Sequence, residues 1–229
     1  GAIIKMKILS TLIILIMITL LNFTNVYSQG IKAGVGFSGI PQRYTNPNYF
    51  RIGYDQNLGE KISVSLTYKL GFPPSNDVEL TYGFPSADGD VRFSVNHICT
   101  WNEFSFISKY FFFHNSEAGF YSASGISLLQ AKNEYEVSSL SVDGNSTYTN
   151  YGDLSEGTYE QDITLIPLFL NIGYRGEFEG WYFDTYAGMG ILPFGANPDV
   201  EPAALANRGV ETRFAPVSFQ FGITYGVSW

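Results

Sequence analysis

The chain has 229 residues, a formal net charge of −8 and a single cysteine. Charged residues make up 15% of it and aromatic residues 17%, whereas a typical soluble domain is about 25% charged. The acidic balance disfavours nucleic-acid binding, which depends on Lys and Arg, and one cysteine excludes an intramolecular disulfide.

The amino-terminal stretch has the pattern of a secretory signal peptide. Lys5 and Lys7 precede an apolar run over residues 8–21, and small or tolerated residues lead to a cleavage point between Ser28 and Gln29. The run is shorter than the ~20 apolar residues that a membrane-spanning helix needs. We therefore predict a signal peptide over residues 1–28, with residues 1–5 lying upstream of its start at Met6, and export of the remainder.

Residues 29–229 contain eight segments in which apolar and polar residues alternate, the pattern of β-strands with two different faces. The last is the clearest, since Val217, Phe219 and Phe221 alternate with Ser218 and Gln220. At roughly 3.3 Å per residue and a tilt of about 40°, its thirteen residues rise on the order of 30 Å, which is enough to cross an outer membrane. The predicted strands cover residues 31–38, 49–55, 62–70, 101–113, 119–129, 163–175, 181–192 and 217–229.

The connections between these strands alternate in length. Short turns are predicted near residues 57–59, 114–118 and 177–180, while residues 72–99 and 193–212 are predicted to be long loops. A further long connection, residues 130–161, contains two polar strand-like runs around Asp143-Gly144-Asn145, a hairpin-turn signal; we expect these runs to extend past the membrane surface. Short turns on one side and long loops on the other are typical of bacterial membrane barrels.

The orientation of the two faces decides the fold class. A soluble sandwich would turn its apolar face inward and leave Ser, Gly and Thr outside, with few charges to keep it soluble. The alternative is a barrel whose apolar face meets lipid and whose small polar residues line a narrow lumen. We therefore predict that residues 29–229 form an all-β, eight-stranded antiparallel up-and-down transmembrane β-barrel.

The sequence resembles the small outer-membrane β-barrels of Gram-negative bacteria, including PorT-like and OmpX- and OmpA-like barrels. Four features carry the resemblance: residues 30–35 after the leader, Lys109-Tyr110-Phe111-Phe112, residues 186–190 and the terminal Trp229. It implies the fold, a place in the outer membrane beside lipid and lipopolysaccharide, and insertion by the barrel-assembly machinery, which recognises a terminal strand ending in an aromatic residue. Phe221, Tyr225 and Trp229 are the expected insertion signal.

Eight charged residues are predicted to point into the lumen. An eight-stranded barrel is just wide enough for its side chains to fill, so we expect them to pair into a network that plugs it. Aromatic residues are expected to gather near the two rims as interfacial girdles, with Phe111, Phe112, Phe113, Trp181, Tyr182 and Trp229 at one and Trp101, Phe104 and Phe194 at the other. The predicted lumenal network is Lys32, Arg51, Asp55, Lys69, Glu103, Lys109, Arg175 and Asp184.

Several motifs could indicate a catalytic, cofactor or metal site, but each lacks the neighbouring residues or structural element that such a site requires. His114-Asn115-Ser116 is similar to the His-x-Ser pair of lipid A deacylases but lies in a predicted turn with no carboxylate at a suitable spacing. Residues 34–39 match G-x-G-x-x-G but lead to Pro41 rather than a helix. His97 has no second ligand at zinc spacing, and Asp88-Gly89-Asp90 lacks the rest of a calcium ligand series. We predict no cofactor and no metal.

The sequence thus predicts a non-enzymatic outer-membrane barrel with a plugged lumen. Its expected role is envelope structure, adhesion or surface interaction through its loops, or membership of a larger outer-membrane complex, with partners among outer-membrane or extracellular proteins. Both termini are expected in the periplasm and the long loops outside the cell. A small-solute or ion channel is the alternative, followed by a lipid-modifying enzyme.

Overall fold

The fold is known from a computed structural model, which describes residues 29–39, 48–72, 78–86, 89–113, 118–142, 146–147, 150–151, 154–191 and 217–229. The predicted signal peptide and the predicted girdle residue Phe194 lie outside these ranges. Within them the chain forms strands only. The strands are β1 (Gln29–Gly39), β2 (Asn48–Asn57), β3 (Ile62–Gly71), β4 (Val78–Ser86), β5 (Gly89–Phe111), β6 (Gly119–Val142), β7 (Ser146–Thr147), β8 (Asn150–Tyr151), β9 (Leu154–Ser155), β10 (Gly157–Leu165), β11 (Leu168–Phe178), β12 (Trp181–Ile191) and β13 (Val217–Ser228).

Eight of these strands close into an antiparallel barrel. Each pairs with the next in the order β1, β2, β3, β5, β6, β11, β12, β13, and β13 pairs back with β1. At the closing seam, Gln29 and Trp229 exchange two backbone hydrogen bonds of 3.0 and 2.9 Å. Closure leaves no open edge around the barrel, so its backbone groups are paired within the wall. The predicted fold class is confirmed.

The sixth predicted strand is interrupted. β10 and β11 both pair with β6 in one continuous register, with Leu165 opposite Leu129 and Leu168 opposite Ile126. Between them lies Pro167, which has no N–H to donate to a neighbouring strand. Its carbonyl oxygen nevertheless accepts a 3.0 Å hydrogen bond from the backbone N–H of Ser127, so the strand keeps its direction across the break.

The prediction of a loop over residues 72–99 was wrong, because most of this segment is paired strand. β4 forms a hairpin with the first part of β5, in which Ser86 lies opposite Gly89 and Val78 opposite His97. Pro85 is tolerated because β4 is an edge strand, where the missing N–H need not face a partner. Of the residues that suggested a loop, Pro85 lies in β4 and Gly89 and Asp90 lie in β5, while Pro73, Pro74 and Asp88 lie outside the described residues.

β5 and β6 continue together beyond the barrel wall and carry β4 and β10 on their outer sides. We call this four-stranded sheet, in the order β4, β5, β6, β10, the extension. At about 3.3 Å per residue, the part of β5 before Trp101 adds on the order of 40 Å of strand. Val142 pairs with Ser146, as expected for the predicted hairpin, whose turn residues Asp143-Gly144-Asn145 lie outside the described residues.

The connections at the opposite end of the barrel are short. Between β11 and β12, Phe178 lies directly opposite Trp181, and the two residues between them, Glu179 and Gly180, have φ values of +48° and +81°. Positive φ at both central residues is the geometry of a type I′ hairpin turn, whose twist matches that of the flanking strands. β2 and β3 are joined by a similarly tight turn, where the N–H of Leu58 donates to the carbonyl oxygen of Ile62.

Candidate functional site

The lumen of the barrel is lined by charged side chains that alternate with the lipid-facing residues of the same strands. All eight residues of the predicted network are 6% exposed or less. Among the described barrel residues they comprise five cations and three carboxylates. These are Lys32, Arg51, Lys69, Lys109 and Arg175, and Asp55, Glu103 and Asp184.

Asp55 and Asp184 lie at the centre of the larger group of ion pairs. Lys32 Nζ lies 2.5 Å from Asp55 Oδ1 and 3.8 Å from Asp184 Oδ2. Lys109 pairs with Asp184 and lies 3.9 Å from Asp55, while Arg175 pairs with Asp55 and lies 3.6 Å from Asp184. Three cations thus share two carboxylates, which ties β1, β2, β5, β11 and β12 together across the lumen.

Tyrosine and serine hydroxyls complete this group. Ser65 and Tyr182 donate hydrogen bonds to Asp55, and Tyr121 donates one to Asp184. Buried charges are tolerated only when the remaining lone pairs are also satisfied. In the central group, the carboxylates of Asp55 and Asp184 meet that requirement.

A second group lies further toward the extension. Lys69 Nζ donates to Glu103 Oε1 at 3.0 Å and to Gln220 Oε1 at 2.8 Å. Ser105 also donates to Glu103, at 2.9 Å, and Gln220 donates on to Asn171 Oδ1 at 2.9 Å. This chain of hydrogen bonds crosses the barrel from β3 and β5 to β13 and β11.

Arg51 differs from the other four cations. Its guanidinium carbon lies 4.7 Å above the ring of Tyr186, whose hydroxyl is hydrogen-bonded to that of Tyr49. No described carboxylate oxygen lies within 4.0 Å of the guanidinium, and its Nε has no hydrogen-bond partner among the described residues. Arg51 is therefore a buried cation that lies against the ring of Tyr186 and has no carboxylate within ion-pair distance among the described residues.

Apolar side chains fill the rest of the lumen. One buried cluster lies where the barrel passes into the extension, and it includes Tyr49, Trp101, Leu129 and Leu165. A second contains Ile107, Phe111, Tyr121 and Phe169. A water-filled pore would leave its lining side chains accessible, whereas these charged and apolar residues are buried. The lumen of the described barrel is filled by its own side chains, as expected for eight strands.

Three residues predicted for the interfacial girdles point into the lumen instead. Trp101 is 3% exposed, Phe111 is fully buried and Tyr182 is 4% exposed. They share the inward parity of Glu103 and Lys109 on β5 and of Asp184 on β12, so strand alternation overrides the general preference of aromatic residues for the interface. The girdle prediction was wrong for these residues, while Phe112, Phe113, Trp181 and Trp229 are exposed on the wall or at its rim.

The outer wall of the barrel is apolar. Phe219, Phe221 and Tyr225 on β13, and Trp229 directly after it, are each more than half exposed, while Thr224 on β13 is fully buried. Similar exposed residues occur on every barrel strand, among them Ile31, Ile52, Leu70, Tyr110, Phe120, Ile172 and Met189. Such a continuous apolar belt around a closed sheet is the surface that a membrane barrel presents to lipid. The predicted insertion signal, Phe221, Tyr225 and Trp229, lies on this belt.

The inner face of the extension carries an apolar cluster and a layer of hydrogen-bonded polar residues. The cluster includes Val91, Phe93, Tyr135 and Leu140. Below it, the ring of His97 stacks on Tyr135 with centroids 4.4 Å apart, and its Nε2 lies 3.2 Å from Asn133 Oδ1. Burial lowers the pKa of His97 below its usual value, although the hydrogen bond with Asn133 acts in the opposite direction.

The outer face of the extension is charged and exposed. Glu134 lies directly opposite Glu160 on the paired strand, and Lys132 bridges them with contacts of 2.9 and 3.1 Å. Hydrogen bonds with these two carboxylates raise the pKa of Lys132 to about 12. Glu136 and Asp162 are exposed on the same face, which makes the face acidic.

Other candidate sites from the sequence lie wholly or partly outside the described residues. Ser28, His114-Asn115-Ser116 and Asp88 are in this category, while Gln29 is the first residue of β1 and Cys99 is buried. Among the residues that the structure describes, no group of three or more His, Cys, Asp and Glu side chains is arranged to hold a metal ion. The same residues contain no helix with the length and hydropathy of a membrane-spanning helix.

Comparison with known proteins gives similarity in architecture only. No protein-family model and no curated protein sequence matches the chain. Among solved structures, the attachment invasion locus protein Ail of Yersinia pestis is 10% identical, with a TM-score of 0.45 over 90% of this chain and 100% of its own. The N-terminal β-barrel domain of Pseudomonas aeruginosa OprF is 11% identical, with a TM-score of 0.43 over 88% and 97%, and Acinetobacter baumannii CarO2 is 11% identical, with a TM-score of 0.40 over 90% and 100%. These neighbours are small outer-membrane barrels, the class that the sequence resembles; the fold assignment itself rests on the strand pairing described above.

Proposed function

We propose that this chain is a non-enzymatic barrel of the bacterial outer membrane, that its lumen does not conduct solutes, and that it acts in surface interaction through the extension. The observation that carries the proposal is the contrast between the two parts of the molecule. The lumen is filled by its own buried side chains, whereas the extension displays exposed charged residues outside the barrel wall.

The location follows from the chemistry of the outer wall. A soluble protein does not expose an apolar belt around its whole circumference, and a closed barrel satisfies its backbone within lipid. Outer-membrane lipid and lipopolysaccharide are the proposed surroundings. The barrel-assembly machinery is the proposed partner in insertion, with Phe221 and Tyr225 on β13 and Trp229 directly after it as the recognised residues.

The two kinds of connection support one orientation of the barrel in the membrane. Bacterial barrels place short turns in the periplasm and long segments outside the cell, so both termini of the barrel would be periplasmic and the extension extracellular. In a Cys99→Ala background, a membrane-impermeant maleimide added to whole cells should label Glu136→Cys on the extension but not Leu58→Cys in a short turn. Labelling of Leu58→Cys alone would invert the proposed orientation.

The role of the extension is tested by removing it without cutting the barrel. Residues 73–99 and 133–161 are each replaced by a short Gly-Ser turn, which leaves the barrel strands intact. Attachment of expressing cells to other cells and to protein-coated surfaces should fall to the level of cells without the protein, while the variant still reaches the outer membrane. Undiminished attachment would rule out the extension as the interacting surface.

The contribution of the acidic face is tested separately from that of the whole extension. Neutralising Glu134, Glu136, Glu160 and Asp162 to the corresponding amides keeps the strands and removes the charge. If attachment depends on a basic partner, this variant should lose it as fully as the deletion does.

In planar bilayers, the unmodified protein and both variants should show no single-channel conductance, and measurable conductance would favour the alternative function of a small-solute channel.

A further inference from the structure

One side of the lipid-facing wall is concave, because small residues face outward there between large ones. Ser108 lies directly opposite Ser124 on the paired strands β5 and β6. Ile172 of β11 lies between Ser122 of β6 and Ala187 of β12, directly opposite each. These four small residues form the floor of a hollow of about 910 Å³, which is within the range of about 300–1,000 Å³ that is typical of small-molecule sites.

Large side chains enclose this floor. Tyr110 lines the hollow on β5, and Phe221 lines it on β13. Between them, Leu170 and Ile172 of β11 are 64% and 70% exposed. The hollow is therefore a gap between rows of protruding side chains, and its lining is mostly apolar.

Two smaller hollows continue it along the wall. One, of about 560 Å³, shares Ser124 with it and reaches Leu168, at the end of β11 nearest the extension. The other, of about 580 Å³, shares Ala187 with it and reaches Phe120 and Tyr174, toward the short turns. We call the three hollows together the wall groove.

The wall groove has the length of one lipid chain. On β11 it extends from Leu168 to Tyr174, which is roughly 20 Å along the strand. At a strand tilt of about 40°, this is on the order of 15 Å of membrane depth. The hydrocarbon core is about 30 Å thick, so the chains of one leaflet also occupy about 15 Å.

An acyl chain makes more contacts in the wall groove than on the rest of the wall. On a convex part of the barrel, a chain touches the protein on one side only. In the groove it would lie on Ser122 and Ser124, with Tyr110 and Ile172 beside it. Dispersion attraction is small for each pair of atoms but adds up over many contacts, so the groove holds a chain more firmly than a convex surface does.

We propose that the wall groove is a binding site for one acyl chain of a phospholipid, which stays in place while the lipids along the rest of the wall exchange. The inference rests on the proposed location of the barrel in the outer membrane, because the groove is continuous with the belt that meets lipid there. The phospholipid headgroup lies at the end of the groove nearest the short turns.

The charge of the extension favours a phospholipid over lipopolysaccharide. β6 continues from the barrel wall into the extension, and Glu134 and Glu136 lie on the same side of this strand as Ser124. The acidic face therefore follows the groove at its other end. Its carboxylates repel the phosphates of lipopolysaccharide, whereas a phospholipid with its headgroup at the short-turn end avoids them.

The first test counts the lipid bound to the unmodified protein. The protein is folded into vesicles that contain phosphatidylethanolamine and lipopolysaccharide, and insertion is checked by the shift in gel mobility on boiling. Native mass spectra after extraction in a mild detergent should show one barrel with one phospholipid. A barrel that carries lipopolysaccharide instead, a barrel without lipid, or a lipid-free dimer of this chain would each overturn the proposal.

A protein that does not insert would contradict the proposed location itself, and the binding site with it. An inserted barrel that carries no lipid contradicts the binding site alone. The two failures are therefore distinguishable in one experiment.

Variants locate the bound chain. Ser124→Phe fills the floor of the wall groove, whereas Ala33→Phe adds the same side chain at an exposed position on β1 that lines none of the three hollows. At equal lipid concentration, the ratio of lipid-bound to lipid-free barrel should fall about tenfold in Ser124→Phe, which corresponds to about 1.4 kcal/mol. Ala33→Phe should bind lipid as the unmodified protein does.

A second filling variant makes the result independent of the folding of the first. Ala187→Phe fills the floor on the other side of Ile172 and should reduce lipid binding in the same way. Undiminished binding of phospholipid by inserted Ser124→Phe and Ala187→Phe would place the lipid elsewhere on the wall, and the proposal would be rejected.

Discussion

At the scale of single residues, two central carboxylates balance three of the five cations in the lumen. Asp55 and Asp184 each lie within 4.0 Å of the same three cations. Asp55→Asn would leave Lys32, Lys109 and Arg175 with one carboxylate between them. Breaking a buried pair on one side costs about 3–5 kcal/mol, so we expect the free energy of unfolding in urea to fall by that amount.

A matched control and a compensating variant separate this effect from general disruption. Glu136→Gln removes a carboxylate from an exposed position and should change the free energy of unfolding by less than about 0.5 kcal/mol. Adding Lys32→Met to Asp55→Asn should recover part of the loss, because it removes one of the stranded charges. A double variant no more stable than Asp55→Asn alone would show that charge balance is not what these residues contribute.

The lipid-facing side of a strand can be tested one residue away from the lumenal side. Phe221 is 57% exposed on the outer wall, and Phe221→Arg would place a charge in hydrocarbon, at a cost of about 2–4 kcal/mol near the bilayer midplane. The loss should appear in unfolding measured in lipid vesicles, while Phe221→Leu stays close to the unmodified protein. Equal stability of the Arg and Leu variants would place this face away from lipid.

At this same scale, the alternation of residues within a strand predicted the direction of the side chains better than residue type did. The lumenal charges follow from parity, as for Arg51, which lies between the exposed Phe50 and Ile52, and Lys69, which lies between the exposed Tyr68 and Leu70. Trp101, Phe111 and Tyr182 were assigned to the girdles because they are aromatic, although their parity matches that of Glu103, Lys109 and Asp184. The absence of a described carboxylate within 4.0 Å of Arg51 could not be predicted from the sequence, because it depends on which strands pair and in which register.

At the scale of elements, the barrel strands could be predicted because lipid imposes a strict alternation on them. The extension lies outside that constraint, and β4 contains Pro85 and borders on Gly and Asp residues that suggest a loop. Its stability comes from contacts distant in sequence, such as the packing of Phe93 with Tyr135 in one cluster. Local composition does not encode those contacts, which is why residues 72–99 were misassigned. The local turn signal at residues 143–145, by contrast, agrees with the pairing of Val142 with Ser146 on either side of it.

The extension should lose stability in mild acid through His97. Burial holds its pKa in the folded protein below the value of about 6.5 that it takes in an unfolded chain. The unfolded state therefore binds the proton more readily, so the stabilisation present at neutral pH is lost as the pH falls below about 6.5. Hydrogen exchange of β5 and β6 beyond the barrel should be faster at pH 5 than at pH 7.5, after correction for the intrinsic rate.

His97→Gln provides the control for this effect. It keeps a group able to hydrogen-bond with Asn133 but cannot be protonated, so exchange in the extension should show little dependence on pH. The barrel strands should remain protected in both proteins at both pH values. If the Gln variant opens in acid as the unmodified protein does, the titrating group is not His97.

At the scale of the whole molecule, closure joins the first barrel strand to the last, so that β13 completes the wall on both sides. It pairs with β12 along its whole length and with β1 as far as Gly39, and Gln29 and Trp229 are hydrogen-bonded where the two ends meet. Without β13, the facing edges of β12 and β1 would be unpaired, and each unpaired backbone group in hydrocarbon costs several kcal/mol. Removal of residues 217–229 should therefore abolish the barrel rather than weaken it.

Gel mobility of outer-membrane fractions, compared with and without boiling, measures this directly. The unmodified protein should give a band that shifts on boiling, because a closed barrel resists detergent until it is heated. The protein without residues 217–229 should be missing from the outer membrane and show no such band, whereas the variant without the extension, which keeps all eight barrel strands, should still shift. A heat-modifiable, membrane-inserted product without β13 would mean that the wall closes by another pairing, with β12 against β1.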